Sequence, residues 1–182
     1  MKPQFPHRGR LKDGLQIRDA TAADAESLLA IYRPFVTATT VSFEMEPPSV
    51  DEFAQRIASA QSKWAWLVCE QDGRIAGYAY ATSFRQRAAY QWSVEMSAYL
   101  DASFRGHGVG RALYERLIEI LVAKGYCTAY AGITLPNEPS VRFHQALGFT
   151  AVGVFRRAGR KFGAWHDVSW WQRPLRDEPP AE

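Results

Sequence analysis

One carboxylate and one glycine run hold most of the chemistry this sequence offers. Glu95 stands within Trp92-Ser93-Val94-Glu95-Met96-Ser97-Ala98-Tyr99-Leu100, where apolar, β-branched and aromatic residues dominate. A carboxylate in such company loses hydration, its pKa rises, and it can then take a proton near neutrality. A carboxylate paired with a cation, or facing water at a strand edge, is the plainer reading of the same residue. Directly after this stretch comes Arg105-Gly106-His107-Gly108-Val109-Gly110, with glycines at alternate positions. A glycine turn that opens a helix leaves several backbone N–H groups pointing one way, next to the positive end of the helix dipole. Such a turn is an anion cradle. GxG spacing also serves tight turns without any ligand, and only the strand before it and the helix after it favour the cradle. The pattern is neither the dinucleotide GxGxxG nor a P-loop, because no Gly-Lys-Ser/Thr follows.

The elements that must position these groups can be read from periodicity. Ser93 to Leu100 is a buried strand, and Leu113, Leu117, Ile120 and Leu121 fall on one face of the following helix, with Gly125 as its stop. Upstream, Leu15 to Arg18 is a short strand, and Thr21 caps a helix carrying Ala25, Leu28, Leu29 and Tyr32. Pro34 is expected to bend or end that helix. Thr37 to Glu44 is too β-branched for a helix and reads as an extended loop. Ser49 caps a second helix with Phe53 and Ile57. Trp64 to Glu70 and Arg74 to Thr82 form a hairpin across Asp72-Gly73. Downstream, Tyr126 to Leu135 is a strand, and Asn137-Glu138-Pro139-Ser140 starts a helix that ends near Gly148. Phe149 to Arg156 and Ala164 to Pro174 pair as terminal strands joined by residues 157–163. The order β, α, α, β, β, β, α, β, α, β, β predicts an α/β (α+β) domain, a mixed sheet with helices on both faces.

The 182 residues suit one domain, expected over residues 15–175, with an N-terminal arm at 1–14 and a tail at 176–182. A net charge of +3 with scattered basic residues argues against nucleic acid, while still favouring an anionic ligand. Cys69 and Cys127 lack metal-ligand spacing and read as reduced core residues within strands. No apolar run has membrane-spanning length, and the N-terminus lacks a secretory apolar segment, so a soluble cytoplasmic protein without metal is expected.

Several ordered segments together resemble one family. They are Thr40-Val41-Ser42-Phe43, Trp92 to Glu95, Arg105 to Gly110, Leu135-Pro136-Asn137, Pro139 to His144, Leu147-Gly148-Phe149 and Lys161 to Val168. They resemble the phosphinothricin and methionine sulfoximine N-acetyltransferases of the GNAT superfamily, over about residues 16–175. The resemblance implies a GNAT-like fold, acetyl-CoA as co-substrate and a homodimer. It implies that Arg105, Gly106, His107, Gly108, Val109 and Gly110 wrap the pyrophosphate, with further contacts from His107 and Arg111. Backbone groups of Tyr99 and Leu100 would pair with the pantetheine arm, Asn137 would bind the cofactor at the pantetheine or the acetyl region, and Ser140 would be a further cofactor contact. Asn137 is equally suited to a simple helix cap.

Such an enzyme must deprotonate an ammonium group before it can attack a thioester, and Glu95 is the candidate base. His144 shares a helix face with Ser140 and matches a family histidine; relay, substrate contact and a purely structural role all stay open. Phe143 excludes a tyrosine acid from its own position. For the acceptor, Arg85 or Arg87 in Phe84 to Tyr90 would grip a carboxylate or phosphinate by two prongs. Phe43, Phe84, Tyr90 and Thr134 complete the implied acceptor site, with Phe43 on either subunit of the dimer. Lys161, His166 and Asp167 have a pocket, dimer or hairpin salt-bridge role. The same chemistry on a protein N-terminus or lysine, or acyl-CoA sensing without chemistry, are the rival functions.

Overall fold

The computed structural model describes residues 14–179, so the expected arm before Gly14 and residues 180–182 of the expected tail lie outside the described residues. Its strands are Leu15–Asp19 (β1), Trp66–Gln71 (β2), Arg74–Ser83 (β3), Ser93–Leu100 (β4), Thr128–Thr134 (β5), Thr150–Lys161 (β6) and Ala164–Pro174 (β7). Its helices are Ala25–Thr37 (α1), Val50–Lys63 (α2), Val109–Ala123 (α3) and Glu138–Ala146 (α4). One seven-stranded sheet takes the order β1-β2-β3-β4-β5-β7-β6, in which β4 and β5 alone run parallel.

The sequence chemistry accounts for most boundaries. Ser49 Oγ accepts from the Glu52 N–H and starts α2, and Asn137 Oδ1 accepts from the Ser140 N–H and starts α4. Thr21 caps a single 3₁₀ turn that runs on into α1, its N–H held by Asp24 at 2.7 Å. Leu28, Leu29, Tyr32, Phe53 and Ile57 close one core between α1, α2 and the sheet. Leu113, Leu117 and Leu121 of α3 close the other, against Val94, Met96 and Ala129 on the opposite face. Because Cβ directions alternate along a strand, Val94 and Met96 face α3, while Tyr99 joins the α1/α2 core. Glu95 and Ser97 share the Tyr99 face.

Three expectations need correction. Pro34 does not end α1: it sits in the last turn on the exposed side, and its carbonyl still accepts from Ala38 N–H at 3.0 Å. Water can satisfy the one carbonyl that loses its donor there. The segment 157–163 is not a linker, since β6 continues to Lys161 and turns over Phe162-Gly163, both at positive φ. Register irregularity between Phe155 and Gly159, with Arg157 at φ +51°, absorbs the extra residues that had looked like a loop. Cys127 lies half-buried just ahead of β5 rather than in a strand core, whereas Cys69 is buried in β2; both are free thiols.

Candidate active site

The parallel pair β4–β5 is short. Its register runs Ser93↔Thr128, Val94↔Ala129 and Glu95↔Tyr130, and stops there, although β4 continues to Leu100 and β5 to Thr134. The two strands fork at Glu95. Beyond the fork the β5-facing backbone groups of residues 96–100 have no strand partner, while the other edge of β4 stays paired with β3 as far as Gly77↔Leu100. An extended, amide-containing ligand can add itself there as a strand would.

Glu95 is partly buried at this fork. Loss of hydration pushes its carboxyl above the usual carboxylate range, with the charge of Arg85 working against the shift. Thr82 and Tyr80 stand across from Glu95 and Ser97 in the β3–β4 ladder. Both border a cavity of about 430 Å³ between α2 and the sheet, which Tyr32, Arg56, Trp66 and Tyr78 also line.

Below the fork, the glycine run makes the turn that the sequence foretold. Gly106 and Gly108 have φ of +77° and +82°, a region open to glycine at little strain, and Gly108 is the N-cap of α3. No side chain caps α3, so its first N–H groups have no partner within the helix. A Cβ on Gly106 or Gly108 would meet nothing within 4 Å, so the cradle is open in front. His107 Nδ1 is buried there without a hydrogen-bond partner among the described residues. These features fit a phosphate-bearing ligand. Gly110 is glycine for another reason: a Cβ would sit 3.3 Å from both Leu100 and Phe143, where α3, β4 and α4 converge. Arg105 leans over the Phe35 ring at 5.7 Å. Arg111 is engaged elsewhere, donating to Glu115 and to the Ala146 carbonyl at 3.1 Å each. The Tyr99 side chain is locked among Tyr32, Phe35 and Tyr78, so only its backbone is available.

His144 lies on the α3 side of the sheet, buried among Tyr114, Phe143 and Phe149. Its Nδ1–H donates to the Ser140 carbonyl at 2.8 Å, which leaves Nε2 to accept from the Tyr114 hydroxyl at 3.2 Å. Both nitrogens are therefore used inside the protein, and burial pushes the imidazole below its usual range. Tyr114, which residue types in the sequence did not single out, is fully buried; burial raises its phenol far above the usual value, and the charges of Tyr80 and Glu95 add to that. Only the fold brings α3 against α4 and makes this pair.

Around the residues expected to hold the acceptor, Phe84 stacks on Tyr130 at 3.9 Å and meets Trp170 and Tyr90 edge-on at 5.8 and 5.9 Å. Arg85 lies over Phe84 and Trp170, close enough to Glu95 to act on its charge, whereas Arg87 is exposed and starts the short turn to Tyr90. Trp170 floors this wall. Thr134 is buried at the end of β5 opposite Val168. Phe43 comes from the α1–α2 loop and packs on Gly159 of the same chain. Among the described residues, no group of three or more His, Cys, Asp or Glu is placed to hold a metal. No helix among them is long and apolar enough to cross a membrane.

The chain as a whole has relatives among known proteins. The model of the acetyltransferase (GNAT) domain matches residues 17–170. The chain belongs to the GNAT acetyltransferase family. A phosphinothricin N-acetyltransferase of Streptomyces viridochromogenes is 42% identical over 167 residues, covering 92% of this chain and 90% of that protein. An L-methionine sulfoximine/L-methionine sulfone acetyltransferase of Salmonella typhimurium is 32% identical, covering 92% and 98%. Among solved structures, a GNAT superfamily phosphinothricin acetyltransferase from Sinorhizobium meliloti, crystallised with acetyl-CoA, superposes with a TM-score of 0.87 at 36% identity, covering 92% of this chain and 94% of that one. The mixed sheet with helices on both faces is thus the GNAT fold.

Proposed function

We propose that this GNAT acetyltransferase moves the acetyl group of acetyl-CoA onto the α-amino group of a small amino-acid analogue of the phosphinothricin, methionine sulfoximine or methionine sulfone type. The observation that carries the reading is the fork: β4 and β5 part immediately after a desolvated carboxylate, with the open N–H cradle below it. The N–H groups of Gly106 to Gly110, with Arg105 and His107, bind the pyrophosphate. The Tyr99 and Leu100 backbone takes the pantetheine amides, and Asn137 keeps its amide N–H groups for the acetyl end while its oxygen caps α4. Ser140 lies at the same helix start, and Arg111 braces α3 against α4.

Glu95 takes one proton from the acceptor ammonium, directly or through one water. The freed amine then adds to the thioester carbonyl, the C–S bond breaks, and the second proton shed by the nitrogen goes to the departing sulfur, so that coenzyme A leaves as the thiol. Arg85 faces the acceptor carboxylate or phosphinate, Arg87 lies further out, and Phe43, Phe84, Tyr90 and Thr134 wall the pocket. His144 serves the reaction by holding Tyr114 beside the fork. Exposed Val152, Val154 and Phe155 along the edge strand β6 support a homodimer. Two free thiols and the need for acetyl-CoA support a cytoplasmic location.

The test is thiol release from acetyl-CoA across a panel of phosphinothricin, methionine sulfoximine, methionine sulfone, ordinary amino acids and N-terminal peptides. Turnover concentrated on the three analogues supports the reading. Turnover on peptides alone, or tight acetyl-CoA binding without turnover on any acceptor, overturns it.

A further inference from the structure

Lys161, the last residue of β6, is only 1% exposed. Its ammonium donates to the Val36 carbonyl and to the Ser42 carbonyl, each at 2.6 Å, and lies 5.1 Å from the Phe162 ring. None of the ion pairs found among the described residues includes it. An ammonium taken out of water is strongly disfavoured unless oxygen acceptors replace its hydration; here two carbonyls do so, and the Glu44 charge adds to them from further off. Val36 is in the last turn of α1, where carbonyls lack intrahelical donors and carry the negative end of the dipole. Ser42 belongs to the loop that follows. One cation therefore ties a helix end and a loop to a hairpin that lies 119 to 125 residues away in sequence.

The residue held between these ties is Phe43. On one side of it Ser42 Oγ meets the Tyr32 hydroxyl at 2.6 Å, and on the other Glu44 pairs with Arg56 at 2.6 Å. The Phe43 ring rests on Gly159, where any Cβ would overlap it, and lies 6.3 Å from the His166 ring. His166 Nε2 in turn donates to the Lys161 carbonyl at 3.0 Å. The end of β6 thus supplies both the cation that grips the loop and the notch that receives its aromatic ring.

We propose that Lys161 is a positioning residue of the acceptor site: its ammonium seats the 38–44 loop on the β6–β7 hairpin and so sets where Phe43 closes the pocket. This rests on the reading above that Phe43 walls the acceptor pocket. The role is distinct from that of the acetyl-CoA cradle, whose Arg105 leans on Phe35, one residue before the Val36 carbonyl that Lys161 holds.

The experiment compares Lys161→Met, which keeps an unbranched stem but removes every donor, with the wild-type enzyme. The KM for the acceptor should rise tenfold or more while the KM for acetyl-CoA stays within twofold. Combined with Phe43→Ala, Lys161→Met should add no further loss, because both act through one ring. Amide hydrogen exchange over residues 38–44 should quicken in Lys161→Met, with exchange in β2 and β3 unchanged. Gly159→Ala, which leaves both lysine bonds in place, should raise the acceptor KM alone by displacing the ring; it decides the matter should Lys161→Met not fold. An unchanged acceptor KM, a parallel rise in both KM values, or additive losses with Phe43→Ala would overturn the proposal. If the wild-type enzyme acetylates no acceptor of the panel, the functional reading fails by itself. The exchange measurement then still decides whether Lys161 seats the loop.

Discussion

A partly buried carboxylate whose pKa is raised works against the stability of its own fold. Because the Glu95 pKa is raised in the folded chain, its neutral form favours folding fully below the unfolded carboxyl value of about 4.3, and that contribution is lost as pH rises through the raised folded value. At pH 7 the charged group sits in a site that disfavours it. Glu95→Gln should therefore lower kcat by roughly 10²- to 10⁴-fold while melting no lower than wild type at pH 7. The fall of wild-type activity as pH drops through the Glu95 value should vanish in the variant. Rate profiles and thermal melts over the same pH range check both outcomes; a retained acid limb in Glu95→Gln removes the assignment. His144 has the opposite sign. Its pKa is lowered in the fold, so its contribution is present above the unfolded value of about 6.5 and is lost as pH falls through and below it. His144→Ala, which strands the Tyr114 hydroxyl, should cost about 1–3 kcal/mol in urea denaturation at pH 7.5. The difference from wild type should shrink towards pH 5.

At the scale of elements, the start of α3 does two jobs that pull on the same glycines. It must turn sharply after β4 and must leave its N–H groups uncovered, and Gly108 at φ +82° allows both. Gly108→Ala places a side chain in the left-handed region, where strain is about 1–2 kcal/mol. The expected result is an acetyl-CoA Kd about tenfold weaker, measured by calorimetry, with the acceptor KM unchanged at saturating acetyl-CoA. A Kd equal to that of wild type would mean that this turn does not cradle the ligand. The loop was legible in sequence because glycine spacing, a preceding strand and a following amphipathic helix are all local. The β6–β7 hairpin was less so, since its bulge near Arg157 admits polar residues that mimic a linker.

For the whole molecule, β6 is exposed along most of its length and carries Val152, Val154 and Phe155, each at least half exposed, at the edge of the sheet. A long apolar edge invites a second copy, and lysine is an effective block to such pairing. Val154→Lys should shift the proposed dimer to monomer in sedimentation velocity at micromolar concentration, with the acetyl-CoA Kd retained. A wild-type monomer at that concentration would remove the proposed dimer.

Amino-acid sequence by itself determined the order of elements, the glycine turn before α3, the helix caps at Ser49 and Asn137 and the desolvated neighbourhood of Glu95, because each follows from residues a few positions apart. Only the tertiary structure decided where β4 leaves β5, that Arg85 rather than Arg87 faces Glu95, and that Tyr114 meets His144. It alone brought Lys161 to the carbonyls of Val36 and Ser42. Those pairings join positions from ten to more than a hundred residues apart, and their partners are fixed by how two cores close on opposite faces of one sheet, which no local spacing encodes.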